Sequence, residues 1–309
     1  MVSRRGLPRP RWWWGVIPAV LLAFGTLFAG TGRPAEFVPL QMVEKQLIEE
    51  GAGERLSSVR FVDATGNSVD AYLREPLREA LPEERRGAEL PAVVLVAGRF
   101  AGREAAAMIP GPLETVMLAV EYPQTIPPRM SVREWMQALP SIRRSARQMP
   151  GILRGAAHSL AAEPGIDSAR IALVGVSFGV PFAAVAGKDP IFRGVALHYG
   201  GANLASLFRA NLPIENGWMR GAVAGFAGWW FREMDPGRHV AAISPTPLLL
   251  INATGDVQIP RASALGLAQR AKPPVHHIWL PYGHITSGQS AVIREVADST
   301  FRYFGFQGD

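Results

Sequence analysis

The sequence predicts an α/β fold, in which a mostly parallel central sheet of about eight strands carries helices on both faces. Apolar runs of four to six residues recur along the chain, as at 92–97 and 248–251. They lack the polar alternation of a half-exposed strand, which is typical of a sheet covered on both faces. Stretches of helix-like periodicity separate these runs. With 48% hydrophobic residues, the 309-residue chain has enough apolar side chains for a large core.

The N-terminal segment predicts export. Residues 1–35 contain five arginines and no acid, and Trp12 to Ala29 is an uncharged run of 18 residues. This length lies between a signal-peptide core and a membrane helix of ~20 residues. Four arginines precede the run and one follows. This asymmetry predicts that the N-terminus stays in the cytoplasm and that the rest of the chain, its body, lies across the membrane. We expect residues 1–35 to be a signal peptide or an N-terminal hydrophobic membrane-anchor helix. The body would be anchored through residues 12–29 facing outward, or secreted or periplasmic after cleavage.

Composition excludes several function classes. Beyond residue 35 the chain holds 27 of its 32 basic residues and all 26 acidic residues, so a nucleic-acid-binding surface is not expected. The absence of cysteine excludes disulfides, thiolate metal sites and a cysteine nucleophile. The six histidines show no H-E-x-x-H spacing, so no metal and no cofactor are expected.

The segment after the N-terminal run begins with a predicted helix. Residues 36–55 are assigned to a linker helix, because four apolar residues recur at helix-like spacing: Phe37, Leu40, Val43 and Leu47. Residues 57–64 and 69–74 then alternate apolar and polar side chains around Thr65-Gly66-Asn67. This pattern predicts a β-hairpin on the antiparallel edge of the sheet.

Two buried strands and a long helical region come next. Residues 92–97 and 115–121 read as strands, and the first is followed by a glycine-containing turn, Gly98 to Gly102. Residues 131–163 are helical in pattern but contain Pro140 and Pro150. Because proline removes a helical hydrogen bond, two or three separate helices are expected there.

The pentapeptide Gly175-Val176-Ser177-Phe178-Gly179 is the most informative stretch. It lies between an apolar strand, 170–174, and a helix of small residues, 180–187. In this context G-x-S-x-G predicts a nucleophile elbow, a sharp turn that holds a serine hydroxyl clear of the sheet. Glycines flank the serine because a side chain there would strike the neighbouring strand or helix.

Candidates for the base and the acid that such a serine requires both follow it in the chain. Asp256 comes after the strand 248–252, and His284 comes after the last strand, 275–280. A serine hydroxyl needs a base to become nucleophilic, and the base needs an orienting acid. An alternative role for Asp256 is to cap the helix predicted for 260–271. A strand at 194–199 and a C-terminal helix at 287–304 complete the predicted elements, and His198 is a candidate pocket residue.

The connection at 202–244 is long and apolar for its position before the acid's strand. It contains nine large apolar side chains: Leu204, Leu207, Phe208, Trp218, Met219, Phe226, Trp229, Trp230 and Phe231. We interpret it as a cap-like insertion that forms a lid or wall for an apolar acyl group. Ordinary helices packed on the sheet are the alternative.

The strand-elbow-helix context and the order Ser177, Asp256, His284 resemble the α/β-hydrolase superfamily, in particular serine esterases and lipases. The resemblance covers about residues 55 to 305, and we assign 56–309 to the catalytic domain. It implies that Ser177 is the nucleophile, His284 the base and Asp256 the orienting acid. It also implies an oxyanion hole made by the N–H groups of Phe178 and Arg99. The loop that carries Arg99 usually begins with His-Gly in the family, whereas this chain has Ala97-Gly98.

The predicted function is that of an exported serine hydrolase that cleaves a carboxylic ester through an acyl-enzyme intermediate. The expected partner is a small-molecule acyl ester with an apolar acyl group. Two alternatives stay open. An acyltransferase would use the same three residues with an alcohol or amine in place of water. A non-catalytic binding module would keep the fold alone.

Overall fold

The computed structural model describes residues 34–124 and 132–307. Within them, nine strands form one sheet: β1 Leu40–Gly51, β2 Glu54–Asp63, β3 Ser68–Pro76, β4 Leu90–Val96, β5 Val116–Val120, β6 Ile166–Val176, β7 Gly194–His198, β8 Leu248–Ala253 and β9 Val275–Leu280. Their spatial order is β1-β2-β3-β5-β4-β6-β7-β8-β9. β1, β2 and β3 run antiparallel to their neighbours, and β3 pairs antiparallel with β5. The strands from β5 to β9 are parallel, which confirms the predicted mostly parallel sheet.

The helices lie on both faces of this sheet. They are α1 Ala105–Met108, α2 Val132–Ala161, α3 Val180–Ala186, α4 Leu204–Asn211, α5 Gly217–Trp230, α6 Arg261–Arg270 and α7 Ser290–Phe304. Successive side chains of a strand point to opposite faces. Accordingly, Val94 of β4 belongs to one apolar cluster with α2, α3 and α6, and Val93 to a second cluster with α1 and α7.

The parallel strands place the predicted site residues at one edge of the sheet. β4, β6, β7, β8 and β9 are neighbours and all end there. The turn that carries Arg99 follows β4, Ser177 follows β6, Asp256 follows β8 and His284 follows β9. In open α/β sheets, ligands bind in the crevice outside the carboxyl ends of the strands.

The predicted linker helix at 36–55 is wrong, because this segment forms the edge strand β1. β1 pairs with β2, but the register shifts between Met42 and Glu44 and again between Leu47 and Glu49. Each β-bulge inserts one extra residue. The alternation of two is therefore broken twice, and apolar residues recur at intervals of three and four, which imitates a helix. β1 is also the strand that raises the count from about eight to nine.

The predicted breaks at Pro140 and Pro150 are also not found, because α2 runs without interruption through both. Proline removes the helical hydrogen bond to the carbonyl four residues earlier, which for Pro150 is that of Ala146. The segment that enters from the N-terminal side supplies hydrogen bonds in this region. The Ala35 N–H donates to the Arg147 carbonyl at 2.8 Å, and the Val38 N–H donates to the Gly151 carbonyl at 3.2 Å.

The predicted signal peptide or membrane-anchor helix lies outside the described residues up to residue 33. Among the helices of 34–124 and 132–307, none is both long and apolar enough to cross a membrane.

Candidate active site

Ser177 occupies a strained position between β6 and α3. Its φ of 52° lies in the left-handed region that non-glycine residues rarely adopt. Such a conformation costs about 1–3 kcal/mol and persists only where the surrounding structure enforces it. Here a single turn of 3-10 helix, Ser177–Gly179, joins strand to helix and holds the serine at the edge of the sheet.

The two flanking glycines explain how the turn fits. A Cβ on Gly175 would lie 2.5 Å from the Cβ of Ala183, and one on Gly179 would lie 2.0 Å from the carbonyl oxygen of Val96. No side chain is tolerated at such distances. The elbow is therefore packed against its own helix on one side and against β4 on the other.

The structure brings Ser177, His284 and Asp256 into one chain of hydrogen bonds. The Ser177 Oγ lies 2.8 Å from the His284 Nε2, and the His284 Nδ1 lies 2.8 Å from the Asp256 Oδ2. A carboxylate only accepts hydrogen bonds, so the Nδ1 carries the proton in the neutral imidazole. The Nε2 lone pair is thereby directed at the serine hydroxyl. The side chains of His284 and Asp256 are 8% and 2% exposed, so water has little access to this contact.

The Asp256 carboxylate is fixed from its other side. Its Oδ1 accepts hydrogen bonds from the Gln258 N–H at 2.8 Å and the Ile259 N–H at 3.0 Å. The helix α6 begins two residues later, at Arg261. The alternative role of Asp256 as a helix cap is not found, because Pro260 is the N-cap of α6 and no side chain caps it. Instead, one Asp256 oxygen orders the turn before α6 and the other contacts His284.

The loops that carry Asp256 and His284 are tied together. The Thr254 N–H donates to the Leu280 carbonyl, and the Gly255 N–H donates to the Tyr282 carbonyl, each at 2.9 Å. A Cβ on Gly255 would lie 2.9 Å from that Tyr282 oxygen. Glycine at position 255 therefore allows the two loops to approach closely enough for the acid to reach the imidazole.

The two predicted oxyanion donors lie on neighbouring loops. Phe178 follows Ser177 directly, and Arg99 lies on the turn after β4, the strand that pairs with β6. The Gly98 carbonyl accepts from the N–H groups of Ala101 and Gly102, which shapes this turn. The Arg99 guanidinium stacks on the Phe100 ring with 4.2 Å to its centroid, and partial burial lowers the pKa of Arg99. Only the main chain of Arg99 is assigned to the oxyanion hole.

Two residues missed from the sequence hold this turn in place, Glu121 and Tyr122, just after β5. The Tyr122 hydroxyl donates to the Ala97 carbonyl, and the Glu121 carboxylate accepts from the Arg103 N–H at 3.3 Å. Burial and the neighbouring Glu121 charge raise the pKa of Tyr122 well above its usual value, so this hydroxyl keeps its proton. The only signal in the sequence was a polar pair directly after an apolar strand.

An apolar cleft opens beside the elbow. Three aromatic rings meet edge to face with centroids 5.4 to 5.8 Å apart: Tyr122, Phe178 and Phe182. The cleft has a volume of about 30 Å³, and Ile142, Ala146 and Met149 of α2 form its other side. Phe178, which lines this cleft, directly follows the candidate nucleophile Ser177.

His198 does not line a pocket, contrary to the prediction. Its side chain is buried between β7 and α7, with the Nε2 3.1 Å from the Thr300 Oγ1. The Thr300 hydroxyl already donates to the Val296 carbonyl at 2.7 Å, so the His198 Nε2–H is the donor. Burial lowers the pKa of His198 to about 3, and the imidazole is neutral.

The insertion at 202–244 forms α4 and α5, followed by three short 3-10 turns. α4 and α5 pack closely, since a Cβ on Gly228 would lie 2.7 Å from the Ala205 Cβ. The Asn211 side chain at the end of α4 donates to the Gln258 carbonyl at 2.8 Å. The insertion is thus attached to the loop that holds Asp256.

Comparison with known proteins gives one family match. Residues 133–300, more than half of the chain, match the model of the prolyl oligopeptidase family, Peptidase S9. This range includes Ser177, Asp256 and His284. Among curated proteins, no sequence matches this chain.

Solved structures with the same fold include esterases and peptidases. Acetyl xylan esterase from Paenibacillus sp. R4 superposes with a TM-score of 0.63 at 16% identity, covering 97% of this chain and 96% of its own. Acetyl xylan esterase 1 from Thermoanaerobacterium sp. JW/SL YS485 gives 0.57 at 13% identity, covering 92% of each chain. A puromycin-hydrolyzing peptidase from Mycobacterium tuberculosis gives 0.54 at 20% identity, covering 85% of this chain and 48% of its own. At these identities the likeness establishes the fold alone.

Proposed function

The chain belongs to the prolyl oligopeptidase family within the α/β-hydrolase superfamily, and from this premise we propose a serine hydrolase that cleaves carboxylic esters. The observation that carries the proposal is the unbroken chain of hydrogen bonds from Asp256 through His284 to Ser177. An alcohol, an imidazole and a carboxylate in this arrangement activate the alcohol for attack on a carbonyl.

The proposed reaction has two balanced halves. The Ser177 Oγ attacks the ester carbonyl carbon while its proton passes to the His284 Nε2. The tetrahedral intermediate then expels the alkoxide, which takes that proton and leaves as the alcohol, and Ser177 remains acylated. A water molecule then gives a proton to His284 while its oxygen bonds the acyl carbon. The second tetrahedral intermediate breaks its bond to the Ser177 Oγ, which takes the proton back from the His284 Nε2, and the carboxylic acid is released. Asp256 stays ionised and stabilises the imidazolium in both halves.

We assign the oxyanion hole to the N–H groups of Phe178 and Arg99. The supporting observation is the packing of the elbow on β4, which brings the turn after that strand beside the serine. Two donors are required, because negative charge develops on the carbonyl oxygen in each tetrahedral intermediate. Losing one such donor costs roughly 10²–10³ in rate in a known case.

The proposed substrate class is esters of small apolar acids. The cleft of Tyr122, Phe178 and Phe182 is apolar and has a volume of about 30 Å³. A single water requires roughly 10–15 Å³ on such a scale, so the cleft matches a chain of a few carbon atoms. We expect acetyl to butyryl esters to be hydrolysed faster than octanoyl esters.

A peptidase is the second candidate, because the matching family is named for prolyl oligopeptidase. The same three residues can cleave an amide if the site also binds the peptide on both sides of the scissile bond. A panel of p-nitrophenyl esters and aminoacyl p-nitroanilides separates the two activities. A third assay with an added alcohol or amine acceptor detects acyl transfer, since the acylated acceptor then appears in place of free acid.

The experiment that tests the proposal compares this panel between the wild type and the Ser177→Ala variant. We expect ester hydrolysis by the wild type and its loss in the variant. The matched control is Ser141→Ala on α2, which removes a serine hydroxyl whose bonded partners are the Ala138 carbonyl and the Gln124 amide. Equal ester hydrolysis by wild type and Ser177→Ala, or none by folded wild type, would overturn the proposal.

Export remains part of the proposal. It rests on the arginine-rich start of the chain followed by the uncharged run at 12–29. Fractionation of cells that express the full chain, followed by N-terminal sequencing of the product, tests it. We expect the enzyme outside the cytoplasm, either shortened to a residue near 30 or intact in the membrane fraction. A full-length product in the cytosol would contradict it.

A further inference from the structure

Tyr199 shares the left-handed φ of Ser177 and follows the next strand of the sheet. Val176 and His198, the last residues of β6 and β7, face each other in the parallel ladder. Ser177 and Tyr199 therefore follow at the same level of the sheet. Their φ angles are 52° and 53°, both in the left-handed region. Such conformations cluster at functional sites, because they cost free energy that the surrounding fold must supply.

The tyrosine ring contacts the imidazole of the proposed base. The ring centroids of Tyr199 and His284 are 5.6 Å apart, and the ring planes meet at 78°. This is an edge-to-face arrangement within the range of favourable aromatic pairs. Tyr199 is completely buried, so its ring is a fixed wall beside the imidazole. Ser177, Asp256 and Tyr199 thus border His284 from three different strand ends.

A set of contacts enforces the turn that aims this ring. The Tyr199 N–H donates to the Ile251 carbonyl at 2.6 Å. The Asn252 side chain donates to the Gly200 carbonyl at 2.9 Å, and its own oxygen accepts from the His277 Nε2 at 3.0 Å. The buried Asn252 amide of β8, itself bonded by His277 of β9, thus holds Gly200, the residue after Tyr199, in place.

The hydroxyl of Tyr199 does not account for the position of the residue. It is buried and has no hydrogen-bond partner among the described residues. Burial, with a smaller contribution from the Asp256 charge, raises the pKa of Tyr199 to about 12, so the phenol is neutral. An unsatisfied buried hydroxyl destabilises a fold. The contact that the structure shows between Tyr199 and the site is made by the ring.

We propose that Tyr199 is a positioning residue for His284, whose strained turn presses the ring against the imidazole and keeps the Nε2 in line with the Ser177 Oγ. This inference rests on the proposed function of Ser177 and His284. The ring limits rotation of the imidazole during the two proton transfers. It also keeps water from the side of His284 that faces the core.

The test compares Tyr199→Leu with Tyr199→Phe, using the best ester found for the wild type. For Tyr199→Leu we expect kcat to fall roughly 10- to 100-fold, as small misplacements of catalytic groups do. KM should stay nearly constant, because Tyr199 is buried and does not contact the apolar cleft. Tyr199→Phe keeps the ring and should retain kcat within about threefold, a difference near 0.7 kcal/mol.

A matched control separates positioning from loss of stability. Phe301 of α7 is buried in the same apolar cluster as Tyr199. Phe301→Leu removes a comparable ring and should lower the free energy of unfolding similarly while leaving kcat unchanged. If Tyr199→Leu does not fold, Tyr199→Met, which keeps more of the volume, takes its place. Wild-type kcat in the ringless variant, or an equal loss in Tyr199→Phe, would overturn the inference.

A readout that does not depend on catalysis distinguishes this inference from the proposed function. In a crystal structure of Tyr199→Leu, we expect the imidazole of His284 to be rotated and its Nε2 to be well beyond 2.8 Å from the Ser177 Oγ. An unmoved imidazole would refute the positioning role even in an active enzyme. If the wild type hydrolyses no ester but the imidazole still moves in the variant, the proposed function fails and the positioning role stands.

Discussion

Gly179 and Val96 belong to different strand-loop units, yet they touch so closely that a Cβ on Gly179 would lie 2.0 Å from the Val96 carbonyl oxygen. Val96 ends β4, and the turn that carries Arg99 begins directly after it. Gly179 ends the turn of Ser177. This contact therefore fixes the candidate nucleophile relative to the loop proposed to stabilise the oxyanion.

The first prediction concerns this contact. Gly179→Ala should lower the free energy of unfolding by about 3 kcal/mol or more, because main-chain atoms, unlike a flexible side chain, cannot yield to the methyl group. Ester hydrolysis should fall by at least about 100-fold, because the serine and the oxyanion loop move apart. Urea unfolding and kcat/KM measure the two effects.

Gly225→Ala on α5 is the control, because nothing lies within 4 Å of its added Cβ. That change should stabilise the fold by about 0.5–1 kcal/mol and leave activity unchanged.

The second prediction concerns the support of the oxyanion loop. Tyr122→Phe removes the hydrogen bond to the Ala97 carbonyl and leaves the ring in the cleft. A lost hydrogen bond of this kind costs about 0.5–1.5 kcal/mol. We expect kcat to fall up to about tenfold and KM to change little. Tyr282→Phe is the control, since the Tyr282 hydroxyl bonds the exposed Glu295. Equal activities of both variants would remove Tyr122 from the account of the oxyanion hole.

The third prediction concerns acyl length. Ala146 and Ile142 of α2 both line the apolar cleft. Ala146→Leu should fill the cleft and favour acetyl esters, whereas Ile142→Ala should enlarge it and favour hexanoyl over acetyl esters. One methylene in an apolar pocket is worth about 1–3 kcal/mol, so the ratio of kcat/KM values should shift about tenfold or more. Opposite shifts in the two variants are the critical result. If neither ratio changes, the acyl group binds elsewhere.

The fourth prediction concerns stability in acid. Burial lowers the pKa of His198 to about 3 in the folded protein, against a usual value near 6.5. Between these values the unfolded chain binds a proton at this residue and the folded chain does not. The free energy of unfolding therefore falls as pH drops below about 6.5, by up to about 1.4 kcal/mol per pH unit.

Urea unfolding of wild type and His198→Leu at several pH values from 7 to 4 measures this contribution. The free energy of unfolding should fall less in the variant than in the wild type over this interval, whatever the difference between the two proteins at pH 7. If the free energies of unfolding of the two proteins fall in parallel with pH, the pKa of His198 is not lowered in the folded protein, and the prediction is wrong.

Much of the fold and the site could be predicted from the sequence. Ser177, Asp256 and His284 each follow a recognisable apolar strand. Because parallel strands end at a common edge of the sheet, the proximity of these three side chains could be predicted from the sequence alone. The residues that support them had no such signal. The position of Tyr199 after a strand is ordinary for a turn residue, and no sequence pattern indicates its left-handed φ. Asn252 reads only as the end of an apolar run.

Two misread segments show what periodicity leaves out. In β1, two bulges displaced the alternation, and the pattern of Leu40, Val43 and Leu47 imitated a helix. In α2, the helix continues through Pro140 and Pro150, although a proline inside a helix is expected to break it. Neither a β-bulge nor the continuation of a helix through proline can be read from the spacing of apolar residues.

The most direct test of the account is covalent labelling of the intact protein with a fluorophosphonate, which reacts with an activated serine. We predict one adduct per folded wild-type chain, located on Ser177 by peptide mass mapping, with labelling abolished in Ser177→Ala and at least about 100-fold slower in His284→Ala. A folded wild-type protein that takes up no label, or one labelled equally in Ser177→Ala, would contradict the claim that Ser177 is a nucleophile activated by His284.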